Sequence, residues 1–324
     1  MKITNIKEYS FCKVKDEVTG NRALIFIPYP FLFPSFRNNI IGKCILTTGA
    51  GLKNRKRKYI EGEEYKSIKD KISNGRLKIT KDLEMSRISK RYLPNCLYKR
   101  KINNIFVADL SIINKKCIEK IYDPIEIKNK KTKENEILKR IIDNLSYNFR
   151  ILPEQIGLTG SLLFCDISNT SDIDLVFYVR PEKAKEIFNK IRKIQRETLE
   201  SPKYRIHWPL QFLDTSKKII CVFFAYENPM QSPVYSYKVI SLHRKIDFDS
   251  FVVDDRHSLY APTILGIDKP KIKLLILGTA CRGFYNTGDK ITGKGQLVRL
   301  KIRNRIENFI LVKDAWKELE NFPK

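Results

Sequence analysis

The sequence predicts an α+β protein: a small mixed sheet with helices, flanked by β-rich regions at both ends. Three observations carry this. Between about 135 and 226 the apolar pattern alternates helix, strand, helix and hairpin. Before it lie short apolar runs broken by proline and glycine, and after it lie strand-like runs separated by Gly278, Gly283 and Gly288. The expected domains are a β-rich region over 1–130, a central domain over 131–240, and a small β-meander or partial barrel over 241–324.

In the first region, Ala23 to Ile27 and Ile40 to Leu46 predict strands, the first stopped by Pro28, Pro30 and Pro34. The segment Gly49 to Tyr59 predicts a glycine turn carrying Lys53, Arg55, Lys56, Arg57 and Lys58, a candidate contact for phosphate backbone. A solvated loop fits it equally, and the P-loop pattern is absent. An amphipathic helix is expected near Tyr65 to Ile72. Bases interleave with tyrosines around Arg87 to Lys101, a texture that suits unpaired RNA. Ile105 to Ala108 predicts a further strand, Tyr122-Asp123-Pro124 a turn, and Ile127 to Lys133 a basic linker.

In the centre, Ile137, Leu138, Ile141, Ile142, Leu145 and Phe149 recur at helical spacing over Asn135 to Arg150. Next comes IGLTGSLLFCDISNTSDIDLVFYV, from Ile156 to Val179. It predicts a short strand, a turn at Gly160-Ser161, a short helix, a polar loop and an apolar strand entered through Asp172 and Asp174. Residues two apart on a strand share a face, so the two carboxylates project together. Like charges this close are costly unless a cation lies between them. Mg²⁺ takes carboxylate oxygens and keeps phosphate oxygens as further ligands. Gly160 permits close approach of a ligand, and Ser161 adds a hydroxyl beside free N–H groups, a setting for phosphate. If the acids merely solvate a strand edge, Gly160 is only a turn residue.

This ordered set, strand, Gly160-Ser161, short helix, loop and Asp172-Ile173-Asp174, resembles the signature of the DNA polymerase β-type nucleotidyltransferase superfamily. The resemblance implies two Mg²⁺ ions on Asp172 and Asp174, with Mn²⁺ as a substitute, an NTP held at Gly160 and Ser161, and NMP transfer to an acceptor hydroxyl. It also implies a third acid on a later strand. A helix from Pro181 to about Thr198 and a hairpin, Tyr204 to Leu213 and Lys217 to Tyr226, complete the domain. In the hairpin the natural positions hold His207, Gln211, Cys221 and Phe223. Asp214 at the turn is the leading candidate for the third acid, ahead of Glu227. Without one, the chain is a catalytically inactive nucleotidyltransferase-fold protein that binds RNA or nucleotide. AMP transfer to a protein is a third reading. The three-part order also resembles a group of archaeal proteins that carry this domain between β-rich regions.

The tail predicts a polar, acidic stretch from Ser241 to Tyr260, strands over Lys271 to Leu277, Lys290 to Ile302 and Asn308 to Val312, and a short helix from Asp314. Asp254, Asp255 and His257 fit a solvated loop better than a metal site. Lys294, Arg299, Lys301 and Arg303 make one strand very basic. With 62 Lys+Arg against 36 Asp+Glu, the net charge is +26, which attracts polyanions, RNA before DNA. Seven scattered cysteines without zinc spacing predict reduced thiols and a cytoplasmic protein. No apolar run predicts a membrane span.

Overall fold

Short alternating segments open the chain as an antiparallel sheet. β1 (Ser10–Lys15) pairs with β2 (Arg22–Ile27), and β3 (Asn39–Thr47), β4 (Arg55–Ile60), β5 (Glu63–Ser73), β6 (Arg76–Ile79), β7 (Ser111–Asn114) and β8 (Ile118–Tyr122) complete it. The order is β4-β5-β3-β2-β1-β8, with β6 on β5 and β7 on β3. Cys12, Val14, Ala23, Ile25, Ile27, Cys44 and Ile68 form its core. This is a computed structural model, and it describes residues 6–28, 39–49, 55–73, 76–79, 91–96, 111–164, 172–198, 208–277, 281–320 and 322. The chain divides into two compact units, Met1–Pro124 and Ile125–Lys324.

Two expectations in the first unit are corrected. Tyr65 to Ile72 is strand β5, not a helix. Glu61 and Gly62 both have positive φ, 52° and 79°. That is the backbone of a two-residue hairpin turn, and it lays β5 antiparallel against β4. Arg55 to Lys58 accordingly lie in β4 rather than in a glycine turn. Lys53, Ile105 to Ala108, and most of the Arg87 to Lys101 stretch lie outside the described residues. Tyr92, from that stretch, is described and is buried.

The second unit opens with α1 (Pro124–Glu134), where the composition suggests a linker. Pro124 sits at its first position, where a missing N–H costs nothing. α2 (Glu136–Phe149) follows the expected apolar stripe, burying Leu138, Ile141, Ile142, Leu145 and Phe149. Asn135 caps it, its Oδ1 accepting the Leu138 N–H at 3.0 Å. Then come β9 (Ile156–Leu158), a 3₁₀ turn over Gly160–Leu163, β10 (Ile173–Val179), α3 (Pro181–Thr198), β11 (Gln211–Leu213) and β12 (Ile219–Tyr226). The sheet order is β11-β12-β10-β9. β10 and β12 are parallel, so α3 lies in the crossover between them. Phe149 packs edge-on against Phe177 and Phe212, fixing α2 to one face of this sheet.

The tail, expected as a meander or partial barrel, is a closed barrel. β13 (Tyr237–His257), β14 (Thr263–Ile267), β15 (Ile272–Ile276), β16 (Lys290–Ile302) and β17 (Arg305–Val312) run in the order β13-β14-β15-β17-β16, and α4 (Ala315–Glu318) follows. β15 and β17 are parallel neighbours, which no meander contains. The expected acidic stretch from Ser241 is the body of β13. Phe248, Val252, Leu265, Leu274, Ile276, Ile291 and Ile310 fill the interior.

The barrel packs on the four-stranded sheet through aromatic and ionic contacts. Tyr260 donates to the Val179 carbonyl at 2.8 Å and stacks on Tyr226. Tyr226 Oη lies 3.0 Å from His257 Nδ1, and Lys185 pairs with Asp255. Burial lowers the pKa of His257 to about 4. The folded state therefore favours neutral imidazole. Stability is expected to be full above about pH 6.5 and to fall by up to about 3 kcal/mol as pH drops toward 4. Urea midpoints measured from pH 7 to pH 4 check this, and the His257→Gln variant should show a flatter slope.

Candidate functional site

The site is built where β9 ends and β10 begins. The Thr159 N–H donates to the Asp174 carbonyl at 2.9 Å, which locks the end of β9 to the start of β10. The next residue, Gly160, has φ +66°. A Cβ there would meet the Asp174 carboxylate, so only glycine fits between them. Ser161 is the second residue of the 3₁₀ turn, which Leu162 and Leu163 anchor in the core. Asp172 is exposed and Asp174 partly buried. The Gly160-Ser161 turn and Asp174 thus meet where β9 ends and β10 begins. Residues 165–171 between them lie outside the described set.

Strand register decides what stands beside the pair. Asp174 lies opposite Cys221 on β12, and Cys221 lies opposite Gln211 on β11. The Gln211 Nε2 donates to Cys221 Sγ at 3.1 Å. The Cys221 thiol also hydrogen-bonds to Asp174; burial first, then the charges of Asp174 and Asp172, hold it protonated. A row of carboxylate, thiol and amide therefore crosses three strands.

Asp214 lies one residue past the end of β11, so the register sets it three residues from the row of Gln211, Cys221 and Asp174. Its carboxylate is spent on the turn, accepting from Ser216 Oγ, the Ser216 N–H and the Lys218 N–H. Glu227 lies past the opposite end of β12, beside Arg180. His207 is outside the described residues. Among those described, no group of three or more His, Cys, Asp and Glu side chains is gathered to hold a metal.

One neighbouring feature is not apparent in the sequence. Phe223 follows Cys221 by two residues on β12 and so shares its face. Its ring lies 5.4 Å from that of Trp208. The Arg282 guanidinium, only 1% exposed, sits 4.6 Å from Phe223 and 4.8 Å from Trp208. The Trp208 Nε1–H is buried, with no hydrogen-bond partner among the described residues. Trp208 is one of two tryptophans in the chain. That rarity is the available signal, yet only the fold brings Arg282 to it.

The expected nucleic-acid contacts separate into two groups. Arg55 is 7% exposed, and its guanidinium donates to the Ile68 carbonyl at 2.9 Å, so it is a packing residue. Arg57 pairs with Glu64, while Lys56 is exposed and Lys58 half-buried. On the barrel, Lys294 pairs with Asp247 and Arg303 donates to the Met230 carbonyl. Arg299 and Lys301 are exposed.

The described helices include none long and apolar enough to cross a membrane. No protein-family model, no curated protein and no solved structure matches this chain.

Proposed function

We propose that the Gly160–Asp174 edge binds an NTP with Mg²⁺ and transfers its NMP to an acceptor hydroxyl, on RNA. One observation carries this reading: the space a side chain would need at Gly160 is taken by the Asp174 carboxylate. A phosphate held at the turn is thereby held against the acid. Gly160 and Ser161 grip the phosphates through main-chain N–H groups and the Ser161 hydroxyl. Asp172 and Asp174 supply hard oxygens of the kind Mg²⁺ takes, and an open edge leaves its remaining positions for phosphate. Mg²⁺ supplies charge neutralisation for the triphosphate and a lowered pKa for the acceptor hydroxyl. Cys221 steadies one acid by its hydrogen bond. The net charge of +26 favours an RNA acceptor. The resemblance of the Gly160-Ser161 and Asp172-Ile173-Asp174 pattern to polymerase β-type nucleotidyltransferases points the same way.

A second reading is favoured by the register itself. Cys221 and Gln211 stand where a third carboxylate is expected. The site then binds nucleotide without transferring it. Incubation with labelled NTPs, Mg²⁺ and RNA separates the two. Transfer predicts incorporation that falls about 10²–10³-fold in the Asp174→Asn variant. Calorimetric NTP binding without incorporation selects the binding protein. Absence of NTP binding defeats both.

A further inference from the structure

We infer that the outer end of the β13–β16–β17 ladder is a docking surface for single-stranded RNA, centred on Lys238, Arg299 and Lys301. Lys238 lies directly opposite Lys301, and Arg299 follows on the same face opposite Ser241. All three are exposed, and among the described residues none of them enters an ion pair, whereas Lys290 and Lys294 on the same ladder do. Like charges paired across strands destabilise a sheet unless an anion offsets them.

The same two strands show the contrast. Toward the barrel body, Lys294 pairs with Asp247 and Lys290 with Asp249, each at 3.1 Å. There the ladder neutralises its own cations; at its outer end it leaves them uncompensated. Arg305 extends the positive end, and Glu307, nearby on β17, is already tied to Lys273. Ile306, 53% exposed, lies opposite Lys301 and offers an apolar contact for a sugar or base.

The partner is therefore a regularly spaced polyanion with apolar faces between its charges. Cations two residues apart on a strand repeat at about 7 Å, a spacing an extended phosphodiester chain can follow. An unpaired strand also leaves its bases open to Ile306. This surface lies away from Asp174: Arg303 at its tip reaches Met230, beyond the far end of β12. The inference therefore stands whether or not the Asp174 edge transfers nucleotides.

The test is fluorescence anisotropy with a short, labelled, mixed-sequence single-stranded RNA across a salt series. The Lys238→Gln/Arg299→Gln/Lys301→Gln protein is expected to bind about 10²-fold more weakly at low salt, and its log–log salt slope should shrink by about 2. A Lys290→Gln/Lys294→Gln control should change affinity less than about threefold. Equal loss in the triple variant and the control would overturn the inference, since the field would then be diffuse. So would unchanged RNA binding in the triple variant. Phosphatidylserine vesicles provide the other arm: wild-type sedimentation with vesicles, lost in the triple variant while RNA binding persists, would assign the surface to a membrane instead.

Discussion

Replacing Gly160 with alanine is expected to lower stability by about 2–4 kcal/mol and to eliminate nucleotide binding. Two effects add. The left-handed backbone at φ +66° is strained for any residue with a Cβ, by about 1–2 kcal/mol. The new methyl would also overlap the Asp174 carboxylate. Asp174 cannot retreat freely, because its own carbonyl holds the Thr159 N–H and its strand is paired on both sides. Either the turn opens or the carboxylate swings off the edge, and both separate the Gly160 turn from the acid. Urea unfolding and NTP titration measure the two losses. A variant with wild-type stability and binding would show that this contact does not organise the site.

Asp16→Ala is the second large effect expected, a loss of about 3–4 kcal/mol in the N-terminal unit. The Asp16 side chain is fully buried. Its carboxylate accepts the N–H groups of Val18, Thr19, Asn95 and Cys96, and the Thr19 hydroxyl. It thus closes its own turn and ties that turn to a segment about eighty residues away. Alanine would strand those donors in the interior. Burial alone would raise the acid's pKa, but the four backbone donors outweigh it and the net shift is downward. Its contribution is therefore present above the ordinary carboxylate pKa and lost as pH falls below it. Asp16→Asn should be intermediate, since an amide oxygen can keep some of these bonds. Denaturant midpoints within error of wild type would refute the assignment.

What can be read in advance depends on which force decides each element. α2 and β10 are legible because their own apolar periods set their buried faces. That logic does not extend to β5: its mixed, charged sequence has no decisive period, and the ladder with β4 determines its conformation. The informative signal is Glu61-Gly62, a hairpin turn that a helical reading of Tyr65 to Ile72 overlooks. β13 is hidden over Ser241 to His257 for a related reason. Much of it faces solvent, so it has the composition of a loop, and only pairing with β16 makes it a strand. The site divides the same way. Gly160, Asp172 and Asp174 are close in sequence and stand out there. Their neighbours Cys221 and Gln211 depend on the register of three strands, which a one-residue slip would change entirely. Sequence can name them as hairpin positions but cannot choose between them and Asp214.

The barrel's strand order also bears on how the chain leaves the ribosome. β13 is made early in the barrel, yet its long partner β16 ends only at Ile302. Until that residue emerges, most of a 21-residue strand is an open edge with exposed Ile240 and Leu242. Such an edge invites pairing with another nascent copy. Lys238 and Arg244 place cations on that open stretch, the kind of residue that keeps an unpaired edge from adding a like strand.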